Sequence, residues 1–144
     1  MASAPTTPDK SAEFEKGIKI RREVLGDAYV DKALAAGSDR FGKPIQEYVT
    51  EVCWASWGRE GLTKKQRSLL NIGILMCLNR APELAVHTRG AIRNGLTEDE
   101  ISEAIRHTMI YAGVPAGVDA FHTARRVIKE MKENGEIEFS TSSS

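Results

Sequence analysis

"TKKQRSLLNIGILMCLNRAPELAVHTRGAIRNG", residues 63–95, decides the fold. Thr63 and Gln66 fit a capping box, in which each residue's side chain satisfies the other's free backbone N–H. The run "RSLLNIGILMCLN" is apolar on nearly all sides, which predicts a buried helix. A second helix begins around Pro82, where proline is tolerated in a first turn. Asn94-Gly95 is its stop signal. Two helices thus follow each other across a short polar joint, "NRAPE".

The pattern extends in both directions. "TEDE" at 97–100 is another capping box and opens "ISEAIRHTMIYAG", with Ile101, Ile105, Met109 and Ile110 expected inward. Gly113 and Pro115 break the chain, and a last helix over roughly 116–133 carries Val118, Phe121, Ala124, Val127, Ile128 and Met131. Upstream, "AEFEKGIKIRREVL" is amphipathic and ends at Gly26, and "AYVDKALAAG" is a short second helix. "PIQEYVTEVCWASWG" puts Ile45, Val49, Val52 and Trp57 near one side, and Trp54 and Trp57 read as core or interface residues. Alternating β-branched residues are nearly absent. The expected fold is all-α, a compact helical bundle of about seven helices with short loops. Residues 1–10 read as a disordered leader, 11–139 as one domain and 140–144 as a polar tail.

Composition narrows the function. Lys+Arg and Asp+Glu are both 20, a formal net charge of zero. That argues against a nucleic-acid partner and leaves self-association open. No apolar run is long enough to span a membrane and no secretory leader is present, so the expected location is cytoplasmic. Cys53 and Cys77 form no CxxC and are expected to be small buried hydrophobes in a reducing compartment. His87, His107 and His122 lack metal-site spacing, so no metal is expected. No nucleophile elbow or phosphate loop occurs.

A polar set remains around the apolar helix and its successor: Arg67, Asn79, Arg80, Glu83 and His87. Guanidinium groups bind carboxylates bidentately, so Arg67 or Arg80 suits an anionic substrate. His87 suits proton transfer, oriented by a carboxylate such as Glu83. The competing structural reading makes Arg80 and Glu83 an i,i+3 surface pair and His87 a satisfied helix-face histidine. His107 and Tyr111, at i and i+4 on the next helix, either line the same cleft or form a core-edge pair.

The strings "RSLL", "NR..EL..H", "NGLTEDEI" and "H..IYAGVPAG" occur here in an order and spacing that resemble the carboxymuconolactone decarboxylase family. The likeness spans nearly the whole chain apart from its two tails. Members of the wider alkylhydroperoxidase D-like superfamily place a CxxC before the histidine that His87 resembles. Arg80 and Glu83 stand there instead, and the resemblance therefore implies no thiol-dependent peroxidase activity. It implies an alkylhydroperoxidase D-like fold, a homo-oligomer (trimer or hexamer) and no cofactor.

The reaction that the resemblance implies is conversion of 4-carboxymuconolactone to 3-oxoadipate enol-lactone and carbon dioxide. The leaving carboxylate sits at the γ-carbon of an unsaturated lactone, so its electrons flow through the double bond to the lactone carbonyl. The protein then supplies a grip on the acetate arm, a donor to the dienolate oxygen and an acid for the α-carbon. His87 is assigned as proton donor with Glu83 orienting it. Arg80 and Arg67 bind carboxylate or stabilise the dienolate. Asn79, His107 and Tyr111 join Arg67 as substrate-binding candidates. Two alternatives stay open: a decarboxylase of the same fold acting on another small lactone or keto acid in secondary metabolism, and a non-enzymatic helical oligomeric binding module.

Overall fold

Helix ends, more than helix interiors, set the course of the chain. In the computed structural model, which describes residues 10–138, most of the described helices end or begin on a signal legible in the sequence. The leader expected over residues 1–10 (Lys10 excepted) and the tail expected over 140–144 lie outside the described residues. The chain divides into two compact units, one up to Gly61 and one from Leu62 onward.

The second unit holds four helices: α4 (Lys64–Cys77), α5 (Ala81–Arg93), α6 (Glu98–Ala112) and α7 (Val114–Glu133). Both predicted capping boxes form. Thr63 Oγ1 accepts from the Gln66 N–H at 3.2 Å while Gln66 Oε1 accepts from the Thr63 N–H at 2.9 Å, and Thr97 and Glu100 do the same. α4 ends at Asn79, whose φ of 55° makes it the one non-glycine residue with positive φ among those described. The Arg80 N–H donates to Leu75 O at 2.9 Å and the Asn79 N–H to Met76 O at 3.2 Å, the two bonds of a Schellman ending. The chain turns back there and α5 runs antiparallel to α4. α6 passes into α7 through Gly113 alone, at φ 101° and ψ 152°. A side chain is strained in that region, so one glycine makes the corner that a longer loop makes elsewhere.

α4 packs on α5 and α6, and α7 closes over both. Ile72, Met76, Leu84, Ala91, Ile101, Ile105, Ala120 and Ala124 fill the space between. Each large aliphatic among them contributes about 1.5–3 kcal/mol by leaving water. The buried hydroxyls are satisfied: Thr88 Oγ1 donates to Leu84 O at 2.8 Å, and Ser68 Oγ accepts from Asn94 Nδ2 at 2.9 Å.

The first unit contains α1 (Ala12–Leu25), α2 (Asp27–Ala36) and α3 (Lys43–Tyr48), the last continuing as a π-helical stretch over Val49–Trp54. α1 lies along that stretch. Arg21, 6% exposed, donates to Gln46 Oε1 at 3.0 Å and to Thr50 Oγ1 at 3.2 Å. Trp54 and Trp57 are buried and stacked, ring centroids 5.3 Å apart, as expected of core residues.

Several inward assignments are corrected. Ile45 is exposed on α3, which buries none of its residues, and Val52 is exposed where the π-helical stretch bonds i to i+5 and breaks the stripe that a 3.6-residue period projects. α4 is buried on one side only: Leu70, Ile74 and Leu78 recur every four residues on the face that α5 and α6 leave uncovered. Ile110, in the last turns of α6, is 76% exposed, and Met109 is half-buried. Val118 and Phe121 are also partly exposed. Both cysteines are free and exposed rather than buried; Cys77 stands on α4's outer side.

A Cβ on Gly17 would stand 1.9 Å from the backbone oxygen of Thr50. Gly17→Ala is therefore expected to cost about 3 kcal/mol, the upper range of overpacking. Both tryptophans lie in this unit, so urea unfolding followed by their fluorescence reads the loss directly. An unchanged midpoint would count against so close a crossing.

Candidate active site

The polar set collects along the edge where α5 lies against α4. The antiparallel hairpin puts Asn94 opposite Ser68 and His87 opposite Asn71. Arg67 stands one turn before Asn71 on α4, at i and i+4, and so on the same face. Glu83 stands one turn before His87 on α5, and Arg80 caps that helix's N-terminus. The order along the edge is Arg67, then Asn71 with His87, then Glu83, then Arg80.

The bonds differ from those expected. Glu83 Oε1 accepts from Arg80 Nη2 at 2.6 Å, while Oε2 is inaccessible to solvent and has no hydrogen-bond partner. Glu83 therefore does not orient His87. Arg80, three residues away at the helix start, captures it first. The Arg80 hydrogen bond holds the Glu83 carboxyl below the usual carboxylate range, assisted by a backbone N–H near the helix N-terminus. Arg80 is 59% exposed and Glu83 43%, so this pair alone matches the surface reading as well.

His87 has a different partner. Its Nδ1 lies 3.3 Å from Nδ2 of Asn71. Sequence reasoning passed over Asn71, yet a signal existed: it is the one amide within an otherwise apolar run, four residues after Arg67. His87 is half-buried, and desolvation holds its pKa below the ordinary 6.5.

The other candidates separate from this edge. Asn79 is taken up by the left-handed turn, and the cavity it lines with Arg80 measures about 60 Å³, room for water and not for an organic acid. His107 and Tyr111 pack ring on ring at 5.5 Å between centroids, but both are exposed, Tyr111 to 81%, rather than at a core edge. His107 lines a groove of about 1070 Å³ with Leu69, Gly73, Cys77 and Ala104. That groove lies on the α6 side of α4, where Gly73 faces Thr108, whereas His87 lies on the α5 side. Among the described residues no group of three His, Cys, Asp or Glu side chains is placed to hold a metal ion.

Comparison with known proteins gives this arrangement a context. Residues 43–126 match the model of the carboxymuconolactone decarboxylase family. A nitrosuccinic acid decarboxylase of Metarhizium robertsii is 44% identical over 124 residues, covering 85% of this chain and 86% of that protein. A 4-carboxymuconolactone decarboxylase of Acinetobacter baylyi is 38% identical over 119 residues, 82% of this chain and 88% of that one.

Burial of His87 has a consequence for stability. The unfolded chain's imidazole takes its proton near pH 6.5, and the folded one only at lower pH. Stability is therefore expected to fall as pH drops from about 6.5 to the folded pKa, because the unfolded state binds the proton first. Denaturant midpoints between pH 8 and pH 5 check this. His87→Gln should flatten that window while leaving the acid loss from Glu83, which lies below its ordinary 4.5. A wild-type curve that stays flat would contradict the burial of the ring.

Proposed function

The chain belongs to the carboxymuconolactone decarboxylase family, and from that premise we propose that it is a cofactor-free carboxy-lyase acting on a small dianionic acid. One observation carries the proposal. The acids named for the two relatives share a fragment: a carbon that bears the leaving carboxylate, a CH₂–COO⁻ arm and a link to an oxygen-terminated electron acceptor. In 4-carboxymuconolactone the acceptor is the conjugated lactone carbonyl. In nitrosuccinic acid it is the nitro group. Each substrate carries its own electron sink, so the chemistry calls for neither pyridoxal phosphate nor thiamine.

The edge of α4 and α5 has the parts such a reaction needs. Arg67 is a half-buried cation suited to grip the retained acetate arm. His87 presents a proton-bearing nitrogen to the oxygen on which charge gathers. Arg80, two turns before His87, is paired with Glu83 and holds that carboxylate in place at the end of the edge. The first reading of the substrate is 4-carboxymuconolactone, with 3-oxoadipate enol-lactone as product. The higher identity to the Metarhizium enzyme favours a second, a nitro dicarboxylic acid of a biosynthetic route.

Purified protein given each acid in turn decides between them by carbon dioxide release. Turnover of the preferred acid should fall about 10²–10³-fold in His87→Ala, the loss that follows removal of one charge-stabilising donor. Arg67→Ala should chiefly raise KM. Near-normal turnover in folded His87→Ala, or no carbon dioxide from either acid, would reject the proposal.

The working form is read as a homo-oligomer, trimer or hexamer. Leu70, Ile74 and Leu78 expose an apolar row on α4, and Ile110 and Val114 expose more where α6 meets α7. A chain of zero net charge has no overall repulsion to oppose association through such a face. No helix among the described residues is long and apolar enough to cross a membrane. Light scattering should give a trimer or hexamer mass for wild type and a smaller species for Ile74→Asp. A wild-type monomer would refute this reading.

A further inference from the structure

Nδ2 of Asn71 and Nδ1 of His87 face each other at 3.3 Å. An amide NH₂ only donates, so the ring nitrogen opposite it accepts. A neutral imidazole has one N–H and one acceptor nitrogen, and with Nδ1 accepting, the proton resides on Nε2. An imidazolium would turn a second N–H against the amide's own and lose the bond. We propose that Asn71 is a positioning residue that holds His87 as a neutral imidazole with its proton on Nε2. The ring then meets the substrate as a hydrogen-bond donor to the charge-gathering oxygen, and not as an imidazolium acid. The substrate half of this inference rests on the decarboxylase reading of the edge; the tautomer half rests on the hydrogen bond alone.

The surroundings act in the same direction. On α4, Lys64 and Arg67 precede Asn71 and neither contributes to the shift of the ring, and Glu83, the carboxylate on α5 nearest the ring in sequence, has one oxygen taken by Arg80. α7 packs on the other edge of α5, Arg89 of α5 meets Glu136 just past the end of α7, and α6 meets α5 through the apolar core. Desolvation opposes a charge on the ring. A neutral histidine used as an electrophile at a carbonyl is a known solution in another enzyme, triosephosphate isomerase, and it suits a reaction whose charge appears on oxygen.

The step balances as follows. The bond between carbon and the leaving carboxylate breaks, and its electron pair moves through the conjugated acceptor onto oxygen, against the Nε2–H. Carbon dioxide departs. The pair returns to carbon, at the α-carbon of the lactone or at the carbon bearing the nitro group, as that atom takes a proton from water, and the hydroxide left behind is neutralised by solvent.

Two-bond ¹H–¹⁵N correlation spectra of the full chain, labelled at histidine, test this without substrate. His87 is assigned by its absence in His87→Gln. Wild type at pH 7 should show an accepting Nδ1 and a protonated Nε2. In Asn71→Asp the carboxylate accepts instead, so the proton should move to Nδ1 and the ring's titration midpoint should rise by about one pH unit or more. On the preferred acid, wild-type kcat should be level above the ring's midpoint and fall below it, and Asn71→Asp should carry that fall to higher pH. An Nδ1–H or imidazolium signature in wild type at pH 7 overturns the proposal, as does an unchanged tautomer in Asn71→Asp or a kcat that rises as the ring is protonated. The wild-type spectrum decides the tautomer even where the variant fails to fold. Expected spectra with no turnover of either acid would leave the tautomer standing and sink the decarboxylase reading with its substrate half.

Discussion

The backbone of one residue, Asn79, fixes the register on which the polar edge depends. Its left-handed conformation releases the last carbonyls of α4 to the N–H groups of Asn79 and Arg80, and the chain returns antiparallel within two residues. That conformation costs an L-residue roughly 1–2 kcal/mol, and asparagine is among the few that visit it routinely. With the turn set, each pairing along the hairpin follows. Asn94 reaches Ser68, and Asn71 reaches His87. A longer joint would free α5 to slide, and the ring would lose its amide.

The same register separates the charged groups by task. Arg80 and Glu83 sit together at the start of α5, where one carboxylate oxygen is bonded to the guanidinium. His87, one turn further, is left to the amide on α4. A carboxylate beside the ring would draw a proton onto it; a donating amide does the reverse. Arg80 holds one oxygen of the Glu83 carboxylate at the helix start, so that oxygen is not offered to the imidazole.

Much of this was legible in the residues. Thr63/Gln66 and Thr97/Glu100 announce two helix starts, and Asn94-Gly95 and Gly113 announce two ends, because caps are local chemistry and need no tertiary partner. Arg67, Glu83 and His87 were visible as polar groups at helical spacing. Their partners were not, since hydrogen bonding across two helices depends on register, which periodicity does not supply. Hence Glu83 was matched with His87, and Asn71 was overlooked. The outward face of α4 was misread for a related reason: a helix apolar all round reads as buried, but which neighbours cover it is decided elsewhere in the chain. The π-helical stretch at Val49–Trp54 left no signature in the pattern at all.

The hairpin also bears on how the site comes into being. Arg67, Asn71, Glu83 and His87 all belong to two consecutive helices joined by a tight turn. Bringing them together closes only a short loop, and the entropy lost in closing a loop grows with its length. The polar edge is thus built from contacts of short range along the chain, while the apolar core beneath it draws on α6 and α7 as well. Holding the four side chains in register costs little chain entropy beyond what the hairpin itself demands.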